Sequence, residues 1–368
     1  MSVLPRMLHP AIVNERISRL RLINTTLQDA FGMQAGGANV RPQAARRGSY
    51  DVFNDTREVS TATAPGVHAT TISAQAIGNV PYVIPRSAEK LPLPLEELNN
   101  LRAVGGPVGE VDKAGEQYIM DQEKIVKQRC TNLREFQVSA MLRGKYSYTQ
   151  SGDTFQHAYG SGGHVVINYQ IPDGNLDKLD MLGSGGTDII VTSWDNAAAP
   201  IIRDLLQINQ AFMQLVGRGL TDVYVNSTIW GHIVTNTEVQ DLAGSVNDPL
   251  QSFDRDESND TFTAVLRGCP WVTFHINDNG LNLNGTFNRL IGDTDASFCT
   301  RMDSEIAQYW EGSEPVVDPM SNEAALQYGE YFYHKLVDDP VSYEIHSRFN
   351  GLPVLKIPAA IAYGTVKF

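Results

Sequence analysis

The sequence predicts an α+β fold, and three observations carry that prediction. A stretch of about 29 residues, Gly115 to Arg143, has apolar residues at helical spacing and no proline. Twenty-seven consecutive residues, Val59 to Pro85, contain no charge yet are rich in Val, Ile and Thr. The last forty residues are β-rich, with turn breaks expected at Asp339-Pro340 and Asn350-Gly351. No unit of 20 to 50 residues repeats along the chain, so solenoids and propellers are excluded.

Composition bounds what such a fold can be. The chain has 368 residues, 29 basic and 42 acidic, for a net charge of −13 and a charged share of 19%. Ordinary soluble proteins carry roughly 25%. Hydrophobic residues make up 42%, enough for a substantial core shared among two or three units and too many for general disorder. No run of about eighteen apolar residues exists, so no helix is expected to span a bilayer. The amino-terminal residues lack the apolar stretch and cleavage site of a secretory signal. Cys130, Cys269 and Cys299 are an odd, scattered set, which fits free thiols in a reducing compartment. An acidic total argues against a protein whose main work is gripping nucleic acid along a basic face. The expectation is a soluble, charge-poor globular protein made inside the cell.

From the amino terminus, the first element is basic. Residues 1 to 50 hold seven arginines, no lysine and two acids, a net +5, which leaves −18 on the rest. The segment reads either as an arm or as a disordered tail, and Leu20, Leu22, Ile23, Leu27 and Phe31 allow a short amphipathic helix that docks on something. The uncharged run Val59 to Pro85 follows, with turn chemistry at Pro65-Gly66 and Gly78-Asn79, and reads as a long hairpin. An isolated neutral hairpin is marginal and exposes open edges. It is either an internal hairpin of a β-domain or a loop lying across a neighbouring subunit.

The long helix comes next, with Ile119, Val126, Cys130, Leu133 and Met141 on one stripe and Gln137 as the single polar interruption. Asp112 lies where an N-cap belongs, and Gly144 is the stop. Beyond it, strands are expected at Lys145 to Gln150 and His164 to Pro172, with a turn at Gly160 to Gly163, and again at Ile189 to Thr192. Pro200 to Val216 is an amphipathic helix closed by Gly217 and Gly219. Asp222 to Asn226 is a strand that opens a short helix. The polar, acidic stretch 247 to 260 reads as an exposed loop. Val272 to Ile276, Arg289 to Gly292 and Met302 to Trp310 supply further strands and a connector before the β-rich tail.

No catalytic constellation emerges from these residues. The glycine pairs at Gly160 and Gly183 continue as neither G-x-x-x-x-G-K-[ST] nor G-x-G-x-x-G, and strands rather than helices follow them. There is no G-x-S-x-G, no H-E-x-x-H and no C-x-x-C. The eight histidines include no i, i+4 pair. The run Asp254 to Asp260 begins like a calcium loop, but Asn259 stands where the turn needs Gly and Val265 where a bidentate Glu is needed. Asp338-Asp339 and Glu96-Glu97 are neighbours whose side chains point apart. No catalytic, cofactor-binding or metal residue is nominated, and no cofactor is expected.

Read in order, a basic arm, an uncharged hairpin, a long helix and a mixed body returning to β structure resemble the major capsid proteins of tailed bacteriophages, in particular the lambda-type branch of the Hong Kong 97-type family. The end of the helix, Phe136 to Tyr146 (FQVSAMLRGKY), is similar to the family's helix end, where a small and apolar run precedes a basic residue, Gly, Lys and Tyr. Leu290 to Thr294, and Asp339-Pro340 followed by Leu352 to Leu355, are similar as well. The resemblance covers about Tyr50 to Phe368.

What the resemblance implies is a Hong Kong 97-type capsid fold. Its parts would be an N-terminal arm (1–48), an extended loop (49–92), a peripheral domain on a long spine helix (93–175 with 318–352) and an axial domain (176–317 with 353–368). Subunits would form pentamers and hexamers of an icosahedral shell around double-stranded DNA, held without sequence specificity. Scaffold, portal and decoration proteins are possible partners, with no membrane. The protein would reside in the virion after synthesis in the host cytoplasm, and would not be an enzyme. Some relatives lock the shell by a lysine to asparagine bond, which needs a lysine on the extended loop, and residues 48 to 89 have none. Two other readings stay open: another virion structural protein, such as a tail-tube or decoration protein, and a cytosolic hydrolase of unfamiliar fold.

Overall fold

A computed structural model describes residues 25–53, 77–94, 113–151, 154–159, 164–182, 188–242, 248–256, 261–283, 285–317, 324–338 and 341–368. The amino-terminal part of the arm, residues 59–76 of the uncharged hairpin together with 54–58 before it, the N-cap position Asp112, the glycine turns at 160–163 and 183–187, and Asp339-Pro340 lie outside them.

In chain order, the short helix α1 (Thr26–Ala30) precedes strands β1 (Val40–Gln43), β2 (Arg47–Phe53), β3 (Ile77–Val83) and β4 (Arg86–Pro94). The long helix α2 runs from Lys113 to Leu142. Strands β5 (Lys145–Ser151), β6 (Thr154–Tyr159), β7 (His164–Asn168) and β8 (Leu176–Asp177) lead to helix α3 (Ile201–Leu215) and strand β9 (Asp222–Val225). Helices α4 (Ser227–Thr235) and α5 (Thr237–Leu242) come next. They are followed by β10 (Leu250–Asp256), β11 (Thr261–Leu266), β12 (Thr273–Ile276), β13 (Gly280–Leu283), β14 (Thr286–Arg289) and β15 (Asp295–Cys299). The chain closes with β16 (Ala307–Val317), β17 (Ala324–Tyr328), β18 (Glu330–Asp338), β19 (Val341–Leu355) and β20 (Ile361–Thr365).

The chain divides into two units. Unit 1 takes Met1–Gly48, Val83–Val138 and Tyr309–Pro353; unit 2 takes Ser49–Tyr82, Ser139–Gln308 and Val354–Phe368. Unit 1 is built on a sheet ordered β1-β16-β19-β18, with β17 added to β16 and β4 added to β19. β19 is its organiser, pairing antiparallel with β18 from Val341 to Phe349 and with β4 from Ser342 to Asn350. Its inward residues Ile345, Phe349 and Leu352 are buried with Phe332 and Leu93. Unit 2 is built on a seven-stranded sheet ordered β10-β11-β12-β9-β15-β20-β8, with a three-stranded sheet β6-β5-β7 and the small pairs β13-β14 and β2-β3. Val223, Tyr224, Val225, Phe274 and Phe298 fill the large sheet, and α3 contributes Leu205, Ile208 and Phe212 at i, i+3 and i+7, all buried.

Several elements follow the sequence closely. α2 begins two residues before the predicted start and ends one residue before the predicted end. Gly144 takes φ +83° and its N–H donates to the Met141 carbonyl at 3.0 Å, which is how a glycine closes a helix. α3, β9 and the capped helix α4 stand as expected, with the Asn226 side chain accepting from the Ile229 N–H at 2.8 Å.

Other expectations are corrected. Gly78-Asn79 is not a turn but lies within β3, where Gly78 sits against Val52 and Gln170. Ile189 to Thr192 is not a strand: the N–H groups of Ile189 and Ile190 donate to the carbonyls of Leu179 and Lys178, an irregular contact without a ladder. The polar stretch read as a loop contains β10, paired with β11 from Leu250↔Leu266 to Asp256↔Thr261 with one register shift between Leu250 and Ser252. It is an edge strand exposed along nearly its whole length, so it has no apolar alternation to reveal it. Arg289 ends β14, and Leu290 and Ile291 bend rather than extend. Asn350-Gly351 does not break the tail; β19 runs straight through it.

Candidate functional site

The chemistry of unit 1 concentrates on one face of α2. Glu123, Lys127, Arg134 and Gln137 recur at steps of four, seven and three, which aligns them on a helix, and all are buried. Glu123 Oε1 lies 3.4 Å from His334 Nε2. Lys127 is ion-paired with Glu330. Arg134, fully buried, donates from Nη2 to Glu311 Oε1 at 2.9 Å and Glu330 Oε1 at 3.1 Å. From Nη1 it donates to the Met33 carbonyl at 3.0 Å, and its guanidinium lies 4.7 Å from the Tyr309 ring centre and 5.4 Å from that of Phe349. Burial alone would raise the Glu330 carboxyl, but Arg134 and Lys127 outweigh it and hold the group below the ordinary carboxylate value.

Gln137, the polar interruption in the sequence stripe, completes this face. Its Nε2 donates to the Gly351 carbonyl at 3.0 Å, and its Oε1 accepts from the Tyr309 hydroxyl at 2.5 Å. Gly351 is needed here for proximity rather than for a turn: a Cβ on it would fall 2.3 Å from the Tyr309 hydroxyl oxygen.

A second contact ties the amino-terminal segment down. Glu135, also fully buried, accepts from the Leu27 N–H at 2.6 Å through Oε1 and from the Gln28 N–H at 3.1 Å through Oε2, at the start of α1. Leu27, Phe31 and Met33 are buried with it. Burial pushes the Glu135 carboxyl up to about 8, with the two N–H groups only partly opposing. The amphipathic docking expected of this segment is thus met in its described part, and by polar as well as apolar means.

A third cluster surrounds Glu314 on β16. Arg86 Nη2 reaches its Oε1 at 2.8 Å, Arg348 Nη1 the same oxygen at 3.2 Å, Arg46 Nη1 its Oε2 at 3.7 Å, and Asn350 Nδ2 donates to Oε2 at 3.2 Å. Three guanidiniums from three segments therefore share one carboxylate.

In unit 2, the ribbon of β2 and β3 alternates in the manner of a one-sided sheet: Tyr50, Val52, Val80 and Tyr82 are buried. The Phe53 N–H donates to the Lys356 carbonyl at 2.9 Å, which roots the ribbon. The two strands pair with each other and with no further strand among the described residues.

Among the described residues, the arrangement offers little to bond-making chemistry. Asp222 accepts the Thr221 hydroxyl at 2.6 Å and lies 2.8 Å from His275 Nε2, so the carboxylate separates the hydroxyl from the imidazole that would have to activate it. Burial pushes the Cys130 and Cys269 thiols up to about 12, far from a nucleophilic thiolate at neutral pH. Asp254 and Asp256 are spread along β10, and no group of three His, Cys, Asp or Glu side chains gathers to hold a metal among the described residues. A shallow groove of about 340 Å³ beside α2 is lined by Glu89, Lys90, Leu91, Ile125, Val126 and Arg129, with Glu89 and Arg129 paired at 2.7 Å.

The sequence reasoning missed the buried charges because it tracked apolar positions alone. The signal was present in the spacing, since Lys127 and Arg134 flank Cys130 on the same stripe.

Comparison with known proteins brings these parts under one heading. The fold is shared by a protein of an Escherichia coli CFT073 prophage assigned as its capsid protein, with a TM-score of 0.58 and 11% identity over 100% of this chain and 99% of that one. It is shared also by a phage-related protein from Bordetella bronchiseptica RB50, with a TM-score of 0.50 and 12% identity over 97% and 96%. No curated protein matches the chain. The fold is the Hong Kong 97-type fold of phage capsid proteins. The sequence pattern described as phage major capsid protein E matches residues 23–366, and with that extent of agreement this chain belongs to the phage major capsid protein E family.

Proposed function

We propose that this capsid subunit closes with its copies into an icosahedral shell of pentamers and hexamers that encloses double-stranded DNA, and that it does so without catalysing a reaction. The observation that carries the reading is the ribbon of β2 and β3. A two-stranded ribbon is marginal by itself, and between its strands the sequence carries the uncharged residues 59–76, which a neighbouring subunit can cover without desolvating charge. In this reading the arm is rooted by Glu135 and Arg134, the ribbon is the base of the extended loop, the sheet of unit 1 with α2 forms the peripheral domain, and the seven-stranded sheet of unit 2 forms the axial domain. The lambda-type placement rests on the local sequence agreement at Phe136 to Tyr146. Synthesis in the host cytoplasm and work with scaffold, portal and decoration proteins belong to the same reading.

Sedimentation of the purified chain followed by negative-stain imaging tests it. Capsomers or closed polyhedral shells are expected. Tubes would favour a tail protein instead, and a small monodisperse oligomer that never assembles would overturn the shell.

A further inference from the structure

We propose that Arg46, Arg86 and Arg348 form a patch that binds the phosphate backbone of double-stranded nucleic acid. The proposal deepens the shell reading, on which it rests, by naming where the enclosed polyanion touches the subunit. The three guanidiniums converge on Glu314, so the cluster holds three positive charges against one negative. Their side chains are 37%, 44% and 25% exposed, whereas that of Glu314 is 6% exposed. The carboxylate therefore lies beneath, and the cations face solvent.

The cluster is held in place by the fold. Arg348 also donates to the Pro315 carbonyl at 3.2 Å and to the Tyr333 hydroxyl at 3.2 Å, and its guanidinium stacks 5.3 Å from the Tyr333 ring centre. Asn350 occupies the far oxygen of Glu314. Arg86 and Arg348 sit on adjacent strands, β4 and β19, whose register fixes their spacing. All three cations are arginines, whose planar forks match phosphate oxygens.

A phosphate backbone suits this patch better than a carboxylate from a second copy. Glu314 already fills the place of a single carboxylate, and the remaining surplus of two charges calls for closely spaced anions. A duplex supplies one negative charge per about 1.7 Å of its axis. Outside the first fifty residues the chain carries −18, so most of the subunit repels a duplex and leaves it to the basic places. Contacts of this kind read no sequence.

The test is fluorescence anisotropy of a short random-sequence duplex titrated with unassembled full-length subunits over a series of salt concentrations, with circular dichroism to verify folding. Arg86→Gln, the most exposed change, is expected to weaken binding and to lower the slope of log affinity against log salt by about 0.9. The triple variant R46Q/R86Q/R348Q is expected to lose at least about tenfold in affinity. Glu314→Gln uncovers the three cations and is expected to bind more tightly with a steeper slope. Wild-type subunits without measurable duplex binding, an unchanged slope for R86Q, or weaker binding by folded E314Q would each overturn the patch. So would R86Q subunits that bind the duplex normally yet no longer assemble, since the arginines would then serve a contact between copies. Wild-type shell formation is imaged separately: shells with unaltered variant affinities refute the patch alone, and absent shells refute the shell reading alone.

Discussion

At the scale of single residues, positions that look incidental in the sequence carry specific constraints. Gly351 follows an asparagine, and Asn-Gly is the strongest short turn signal available. Its actual role is set by Tyr309, a residue 42 positions earlier, whose ring and hydroxyl occupy the space a side chain would need. Nothing in the local pattern could reveal that, because the constraint comes from tertiary approach. Gly351→Ala is expected to destabilise the subunit by about 1–3 kcal/mol through overpacking, read as a lowered urea midpoint. In a Tyr309→Phe background, where the nearest atom is gone, the same substitution is expected to cost less, and equal costs in both backgrounds would reject the steric account.

Glu135 makes a pH-dependent prediction at the same scale. Its carboxyl sits at about 8 in the folded subunit against an ordinary 4.5, so between these values the folded state holds the proton more tightly than the unfolded state does. The stability it confers is full below pH 4.5 and is lost as pH rises through 8. Asp29 is the charge that adds to the upward push. Glu135→Gln, which keeps an oxygen for an N–H and cannot ionise, is expected to flatten the pH dependence of the urea midpoint between pH 5 and 8. The wild type should lose stability relative to it by at most about 1.4 kcal/mol per pH unit. A parallel pair of curves would show that Glu135 does not titrate in this range.

At the scale of elements, α2 shows how much periodicity can tell and where it stops. Its length, its stop at Gly144 and the burial of Ile119, Val126, Cys130 and Met141 were all legible from spacing. The charged residues sharing that stripe were not, because a buried cation is recognisable only once its anions are located, and Glu311 and Glu330 arrive from strands nearly two hundred residues later. β10 was hidden for the opposite reason: this solvent-facing edge strand is as polar as a loop, and only its pairing with β11 identifies it.

The seam between α2 and the sheet of unit 1 is the element-level test. Arg134→Met leaves Glu311 and Glu330 short of a buried counter-charge and is expected to cost about 3–5 kcal/mol, read as a fall in Tm or loss of folded protein. Arg134→Lys keeps the charge but loses the two-pronged geometry and the flat face over Tyr309 and Phe349, so it should restore only part of the loss. The double variant R134M/E330Q should be less damaged than the sum of its single changes. Full rescue by lysine would mean that charge alone matters at this position.

At the scale of the whole molecule, the low charge content takes on a mechanical meaning. Charge costs desolvation when two surfaces close, so a subunit that must be covered by its copies is best built with neutral contact segments. The longest such segment is Val59 to Pro85, which follows β2 in sequence and includes β3, and β2 is rooted where the Phe53 N–H donates to the Lys356 carbonyl. Deleting Val59 to Pro85 outright would also remove β3 and with it the buried Val80 and Tyr82, whereas replacing only residues 59 to 76 by a short glycine-serine linker spares the ribbon. The linker variant is expected to remain folded and to sediment as subunits or capsomers without closing into shells. Shells of normal size from that variant would show that the neutral loop is not a contact that assembly requires. The same particles answer a second question about how the shell is held. With no lysine from residue 48 to 89, and with Lys90 engaged by Glu344 at 2.9 Å, wild-type shells are expected to run on denaturing gels as a single band near 40.5 kDa. A ladder of covalent multimers would mean that a lysine elsewhere in the chain supplies the bond, and that the shell is locked chemically rather than by the burial of its uncharged surfaces.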